Sequence, residues 1–334
     1  MESNRCKICG NDNYVNNDLF NIKELQYGFG ETFEYMKCAD CGCLQIMSIP
    51  EDMAKYYPKD YWTVARDAED NSNQGLMQRL FNVVNQALIS RYNNKRLSLL
   101  SRLMTSFLPG TEPIIEYSPD VFAKRVLDVG CGDGRILKVL SQAGFSNLYG
   151  VDPFYEGGEF TDSSSGRSFR IQKGTIHDIG ESFDIVMLNH SLEHMPDQDD
   201  VVRQIDSVLC EDGLCIIRIP TVSSYAWSKY KGNWASLDAP RHLFLHSLES
   251  LSLLLNRHGF YIEKVVSEFA DFSLCRSRLY EKKGFTMEQQ NRYFSGFPGC
   301  FVLLWYAFKA KRVNRKGQGD NIKVYIKRNH SGPS

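Results

Sequence analysis

Three groups of residues in this chain have the types and spacing to do chemistry. The first is Cys6-Lys-Ile-Cys9-Gly10 with Cys38-Ala-Asp-Cys41-Gly42. Two C-x-x-C-G knuckles at this separation predict a tetrahedral Zn²⁺ site. Four thiolates would close its coordination sphere and make the metal structural. The other reading, a redox dithiol, needs only one such pair beside a βαβ unit. Cys43 is then a spare thiol. The second group is Asp128-Val129-Gly130-Cys131-Gly132-Asp133-Gly134 together with Asp152. Strand, glycine loop, helix, strand and acid in this order predict the first half of an open α/β nucleotide-binding sheet. A dinucleotide site wants G-x-G-x-x-G, but here the third glycine comes one residue early and Arg135 stands in its place. The third group is histidine. His190, His194 and His242 fall in segments expected at the cleft, where imidazole suits general-base work near neutral pH. His177 lies just past a later glycine loop, His258 closes a helix and His330 is in the tail.

These residues must be positioned by regular elements. Val126 to Val129 reads as a strand. Ile136, Leu137, Val139, Leu140 and Ala143 fall on one helical face, stopped by Gly144. Leu148 to Val151 is the second strand, Phe154 to Ser168 a Gly/Ser-rich loop, and Phe169 to Gln172 the third strand. Phe183 to Asn189 is the fourth, followed by a helix with Val201, Val202, Ile205, Val208 and Leu209 inward. Asp212-Gly213 turns into a fifth strand, Leu214 to Ile219. Ser247 caps a further helix, and Phe260 to Val266 and Asn321 to Lys327 complete seven strands. Ahead of them lie an aromatic stretch from Tyr56 to Trp62 and a polar linker over 66–75. Residues 76–108 are predicted helical, read as a cap with a membrane-surface alternative.

Asp128 to Gly134 resembles the first motif of class I S-adenosylmethionine-dependent methyltransferases. The resemblance implies a Rossmann-like α/β sheet of seven strands with the last antiparallel. It implies that Asp128, Gly130, Gly132 and Gly134 line the cofactor, and that Asp152 takes both ribose hydroxyls. Thr175 and Ile176, in Gly174-Thr175-Ile176-His177-Asp178, fall where the family binds adenine, although Thr175 replaces the usual acid and Asp178 is a further candidate. Phe183-Asp184 and the Glu193-His194 pair resemble the family's segment beside the cofactor's methyl group, with Asn189 on the cofactor side. Two cysteine knuckles followed by a proline and paired tyrosines resemble bacterial methyltransferases that carry a zinc ribbon. Pro240-Arg241-His242-Leu243 resembles their P-R-H-L segment. It also resembles the E-H-x-x-Y-F-S segment of deoxysugar C-methyltransferases, where the histidine is the base, with Arg241 replacing glutamate. An arginine there also suits gripping a carboxylate or phosphate. His242 is the first candidate base and His194 the second; His242 as a hydrogen-bonded loop anchor and Glu193 as a first-turn acid remain the alternatives.

The 334 residues allow a sizeable core and more than one domain. The expected division is a zinc ribbon over 1–62, a linker and helical cap over 63–120, and the methyltransferase domain over 121–330. A net charge of −1 and a ribbon poor in basic residues argue against a nucleic-acid partner. A polar N-terminus and an apolar run at 297–308 too short to span a bilayer predict a cytoplasmic protein, with peripheral membrane contact left open. The expected acceptor is a small molecule, first a sugar or sugar nucleotide. A quinone or lipid-linked acceptor is the alternative, and RNA the third. Tyr225, Trp227, Tyr230 and Trp234 are expected to line much of the acceptor pocket.

Overall fold

The computed structural model describes residues 5–12, 17–58, 115, 120–162, 166–268, 273–295 and 299–329. The helical cap expected over 76–108, the linker over 66–75, Tyr61, Trp62 and His330 lie outside them.

The strands are β1 (Asp18–Lys23), β2 (Thr32–Lys37), β3 (Leu44–Ile46), β4 (Arg125–Val129), β5 (Asn147–Asp152) and β6 (Gly158–Thr161), then β7 (Ser168–Lys173), β8 (Phe183–Asn189), β9 (Leu209–Pro220), β10 (Phe244–Leu245), β11 (Phe260–Glu268) and β12 (Asn321–Arg328). The helices are α1 (Arg135–Ala143), α2 (Gln198–Val208), α3 (Tyr225–Tyr230), α4 (Leu248–Arg257), α5 (Ser273–Lys283), α6 (Met287–Ser295) and α7 (Gly299–Asn314). The larger sheet is mixed, with eight strands in the order β11-β12-β9-β8-β4-β5-β7-β6. The chain divides into two compact units, one of residues 57–191 and 204–216, the other of 1–56, 192–203 and 217–334.

In the first unit β4 pairs in parallel with both β5 and β8, and β5 with β7. β5 and β8 flank β4 on opposite sides, which makes the carboxyl end of β4 a topological switch point. Val126, Leu127 and Val129 are buried there, and α1 packs Leu137, Leu140 and Ala143 inward as its periodicity predicts. The expected loop after Asp152 departs from prediction: it contains β6, antiparallel to β7, which makes eight strands where seven were predicted. Phe160 supplies the reason, its ring stacking on Phe169 across the pair at 5.5 Å. A four-residue strand with one large apolar side chain is fixed by its cross-strand partner, not by its own pattern.

The second unit holds a four-stranded sheet, β1-β2-β3-β10, and the β11–β12 pair, antiparallel as expected for the last strand. β10 pairs with β3, so a two-residue strand far along the chain completes the sheet that begins between the cysteine knuckles. The segment after Pro220 is more regular than its sequence suggests. It forms α3 and two short 3₁₀ turns, and it buries Trp227, Tyr230 and Trp234. Trp227 sits edge-on to Phe20 at 5.1 Å and Trp234 bonds to Asp320. These rings fill the core, which corrects the expectation that they wall an open pocket. No helix among the described residues is long and apolar enough to cross a membrane.

Candidate active site and metal centre

The glycine loop between β4 and α1 is packed closely against the protein around it. Gly130 has φ of +74°, and a Cβ there would lie 2.5 Å from the Ser191 Cβ. Gly134 has φ of +75°, and its Cβ would meet Ile171 at 2.7 Å. Both positions therefore exclude larger residues on conformation and on space. Ser191, which sequence reasoning passed over, ties the end of β8 to this loop by donating its hydroxyl to the Val129 carbonyl at 2.7 Å.

Asp152 ends β5 and is buried. Its Oδ2 accepts the Gly132 N–H at 2.9 Å, and its Oδ1 accepts the N–H groups of Phe154 and Tyr155 at 2.9 and 3.2 Å. A carboxylate has about four lone-pair directions. Asp152 thus locks the glycine loop to the following turn and keeps only part of its capacity for a ligand hydroxyl. Thr175 and Asp178 hold each other: Asp178 Oδ2 accepts from the Thr175 N–H at 2.8 Å and from its hydroxyl at 3.1 Å. Those bonds fix the 3₁₀ turn at Ile176–Asp178, bury Ile176, and leave the Thr175 oxygen an acceptor.

Asp128, in mid-strand, is 1 % exposed and receives the Asn189 amide at 3.3 Å. Burial pushes its carboxyl up to about 7; the Asn189 bond opposes that shift and the charge of Asp152 adds to it. The fold therefore prefers the neutral acid. The stability this gives is fully present below the unfolded carboxyl's pKa, about 3.9, and is lost as pH rises through about 7. Asp128→Asn is expected to melt higher than the wild type at pH 8, with the difference vanishing near pH 4. A difference of the same size at both pH values would show that charge burial is not the cause.

The cysteine knuckles converge. The four Sγ atoms of Cys6, Cys9, Cys38 and Cys41 lie within 4.8 Å of one another, with Cys6–Cys41 at 3.7 Å and Cys9–Cys38 at 3.5 Å. Four sulfurs about 2.3 Å from a tetrahedral Zn²⁺ would stand about 3.8 Å apart, so the donor set fits that ion. Cys43 is fully buried, and burial holds its thiol well above the usual range. It lies outside the group of four converging sulfurs.

The histidine candidates separate. His190 follows β8 with a left-handed backbone, φ 53°. His194 and His242 come together, ring centroids 4.7 Å apart. The Nδ1 of His242 lies 2.9 Å from the Ser236 carbonyl oxygen, and the Nδ1 of His194 lies 2.9 Å from the Arg241 carbonyl oxygen. A carbonyl only accepts, so each Nδ1 carries the proton and each Nε2 is the basic nitrogen. Around the His242 Nε2 stand Asp238 Oδ2 at 3.9 Å and Glu193 Oε1 at 4.0 Å. An imidazole that takes up a proton there is met by two carboxylates. Glu193, His194 and His242 also offer ligand atoms within 4.8 Å of one another, a spacing that a divalent cation could share.

Arg241 does not grip a ligand. It is 0 % exposed. Its Nε donates to both oxygens of Asp238, its Nη2 to Asp238 at 2.5 Å and Glu24 at 3.0 Å, and its Nη1 to the Tyr56 carbonyl at 2.8 Å. Burial works against the charge on Asp238, but Arg241 outweighs it and holds the carboxyl below its ordinary range, aided by His242 and His194. Glu24, Ser236 and Asp238 carry no motif, and only the folded turn shows their parts. His246 was also missed. It is fully buried, with Nε2 2.7 Å from the Gln198 Oε1, while Gln198 donates to the Leu192 carbonyl at 2.7 Å. Burial lowers it to about 4, so it is a neutral brace for the turn that begins Glu193-His194.

A family model described as a methyltransferase domain matches residues 92–265. Among curated relatives, the ubiquinone biosynthesis O-methyltransferase of Haemophilus ducreyi is 32% identical over 108 residues, 29% of this chain and 45% of that protein. That of Actinobacillus pleuropneumoniae is 30% identical over 105 residues, 28% and 44% respectively. The chain thus spans less than half the length of these relatives. Among solved structures, magnesium protoporphyrin IX methyltransferase from Synechocystis, with bound S-adenosylhomocysteine, aligns at a TM-score of 0.42 and 16% identity over 65% of this chain and 92% of that one. A SAM-dependent methyltransferase from Thermotoga maritima aligns at 0.41 and 16% over 76% and 94%.

Proposed function

Because the chain belongs to the methyltransferase-domain family, we propose that it moves the methyl group of S-adenosylmethionine onto an oxygen or acidic carbon of a small molecule, first a sugar or sugar nucleotide. The observation that carries this reading is the pair of imidazoles whose Nδ1 protons are fixed on carbonyls and whose Nε2 atoms are therefore bases. An acceptor that must lose a proton needs such a group; an amine with a lone pair does not.

Bound S-adenosylmethionine would supply a methyl already activated on a sulfonium. The chain's own residues do the rest. Gly130, Gly132 and Gly134 admit the cofactor to the backbone, Asp152 and Thr175 offer it acceptors, and Asp128 with Asn189 close the floor of the loop. His242 takes the acceptor's proton at Nε2, Asp238 and Glu193 stabilise the imidazolium, and His194 packs beside it. The cysteine set holds Zn²⁺ as a structural ion. Asp152→Ala removes both an acceptor and the tie on Gly132, so it is expected to weaken cofactor binding by roughly 1.5–3 kcal/mol. Calorimetry showing unchanged affinity would remove Asp152 from the cofactor site.

The similarity of Pro240–Ser247 and of the paired knuckles to deoxysugar methyltransferases supports the sugar reading. A second reading, a phenolic hydroxyl on a quinone precursor, is favoured by the relatives that are ubiquinone O-methyltransferases. A panel of sugar nucleotides and hydroxylated aromatic precursors, incubated with methyl-labelled cofactor and read by mass spectrometry, separates them. Label on the sugar is expected. Label confined to the aromatic hydroxyl would move the second reading to first place, and label on RNA alone would contradict both.

A further inference from the structure

We infer that the four-cysteine sheet is a positioning device for His242, acting through Glu24 and Tyr35; as a statement about catalysis this rests on the reading of His242 as the base. Every residue from Arg241 to Ser247 that offers a polar handle is held in this unit by a fixed partner. The Tyr35 hydroxyl, on β2 and wholly buried, donates to the carbonyl of His242 itself at 2.8 Å. The Ile46 N–H, on β3, donates to the Leu243 carbonyl at 2.9 Å, and the Leu243 N–H donates to the Glu193 carbonyl at 2.8 Å. The Ser247 hydroxyl donates to the carbonyl of Cys41, one of the four thiol residues, at 2.5 Å.

Glu24 is the second anchor. It follows β1 and is 1 % exposed. Its carboxylate accepts the N–H groups of Tyr27, Gly28 and Phe29 at 2.8, 2.8 and 3.0 Å, and also receives Arg241. Arg241 in turn fixes Asp238, whose turn supplies both the Ser236 carbonyl under the His242 Nδ1 and the carboxylate opposite its Nε2. A buried guanidinium shared between two carboxylates and a carbonyl is a rigid fork that Lys could not reproduce. Its function is geometric: it sets where the imidazole points. Glu24 and Tyr35 are therefore positioning residues, and neither touches substrate in this account.

The test uses the full chain with its zinc, and the variants Glu24→Gln and Tyr35→Phe, each nearly isosteric. Long-range nitrogen NMR of the imidazoles reads the His242 tautomer and environment directly, independent of activity. Both variants are expected to keep one zinc and near-wild-type affinity for S-adenosylmethionine, to displace or split the His242 ring signals, and to lower kcat about tenfold or more. His242 signals that superimpose on the wild type in both variants would overturn the inference. So would displaced signals with unchanged kcat. His242→Ala run alongside tells which claim failed: full activity in that variant sinks the base assignment, while the ring signals still decide whether the sheet positions the residue. Should Glu24→Gln not fold, Tyr35→Phe alone carries the same readouts.

Discussion

Replacing His242 by alanine is expected to lower turnover by roughly 100- to 10,000-fold while S-adenosylmethionine still binds, the range lost when a positioned general base is removed. The expectation follows from the turn Ser236–His242. Asp238 adopts a left-handed backbone, the His242 N–H returns to the Asp238 carbonyl, and the ring's Nδ1 reaches the Ser236 carbonyl. This leaves one nitrogen for chemistry, with two carboxylates to receive the charge that forms on it. The wild-type rate should fall on the acid side as the imidazole protonates, and the variant should lack that limb. His194 has the same anchored Nδ1 and is the competitor. If His194→Ala loses activity while His242→Ala keeps it, the base lies in the Glu193-His194 turn. If both remain active, alignment of the methyl donor and acceptor suffices.

The second large effect concerns the metal. One zinc is expected to co-purify with the wild type, and Cys38→Ser should release it and unfold the β1-β2-β3-β10 sheet. The apparent binding energy of a structural zinc is about 10–16 kcal/mol, more than a small sheet can lose. Since β10 begins two positions after His242 and pairs with β3, turnover should fall with the sheet even though no thiolate touches substrate. Cys43→Ser should keep its metal. Metal analysis and near-ultraviolet circular dichroism check both statements, and full zinc occupancy in Cys38→Ser would show that the ligand set is misassigned.

How much of this could be read beforehand depended on how local each signal was. Val126–Val129, the glycine loop and Asp152 declare themselves because strand, turn and acid are contiguous and each residue type has one physical reason to be there. The knuckles declare themselves because sulfur chemistry needs a fixed spacing. The pairing of His194 with His242 was foreshadowed only as two separate candidates, since 47 residues of unlike chain separate them and a turn at Asp238 brings them together. Arg241 misled for a related reason: a charged residue next to a candidate base suggests a ligand, yet its partners Glu24 and Asp238 neutralise it inside the protein. Trp227, Tyr230 and Trp234 misled because aromatic density looks alike in a pocket and in a core until burial is known. β6 was missed because Phe169, not its own sequence, specifies it.

The most direct measurement is calorimetric titration of the purified zinc-loaded chain with S-adenosylmethionine, with S-adenosylhomocysteine as competitor and a nicotinamide dinucleotide as control. One saturable site per chain is expected for S-adenosylmethionine, displaced by S-adenosylhomocysteine, weakened in Asp152→Ala and indifferent to His242→Ala. Heat from the dinucleotide and none from S-adenosylmethionine would contradict the methyltransferase reading at its foundation.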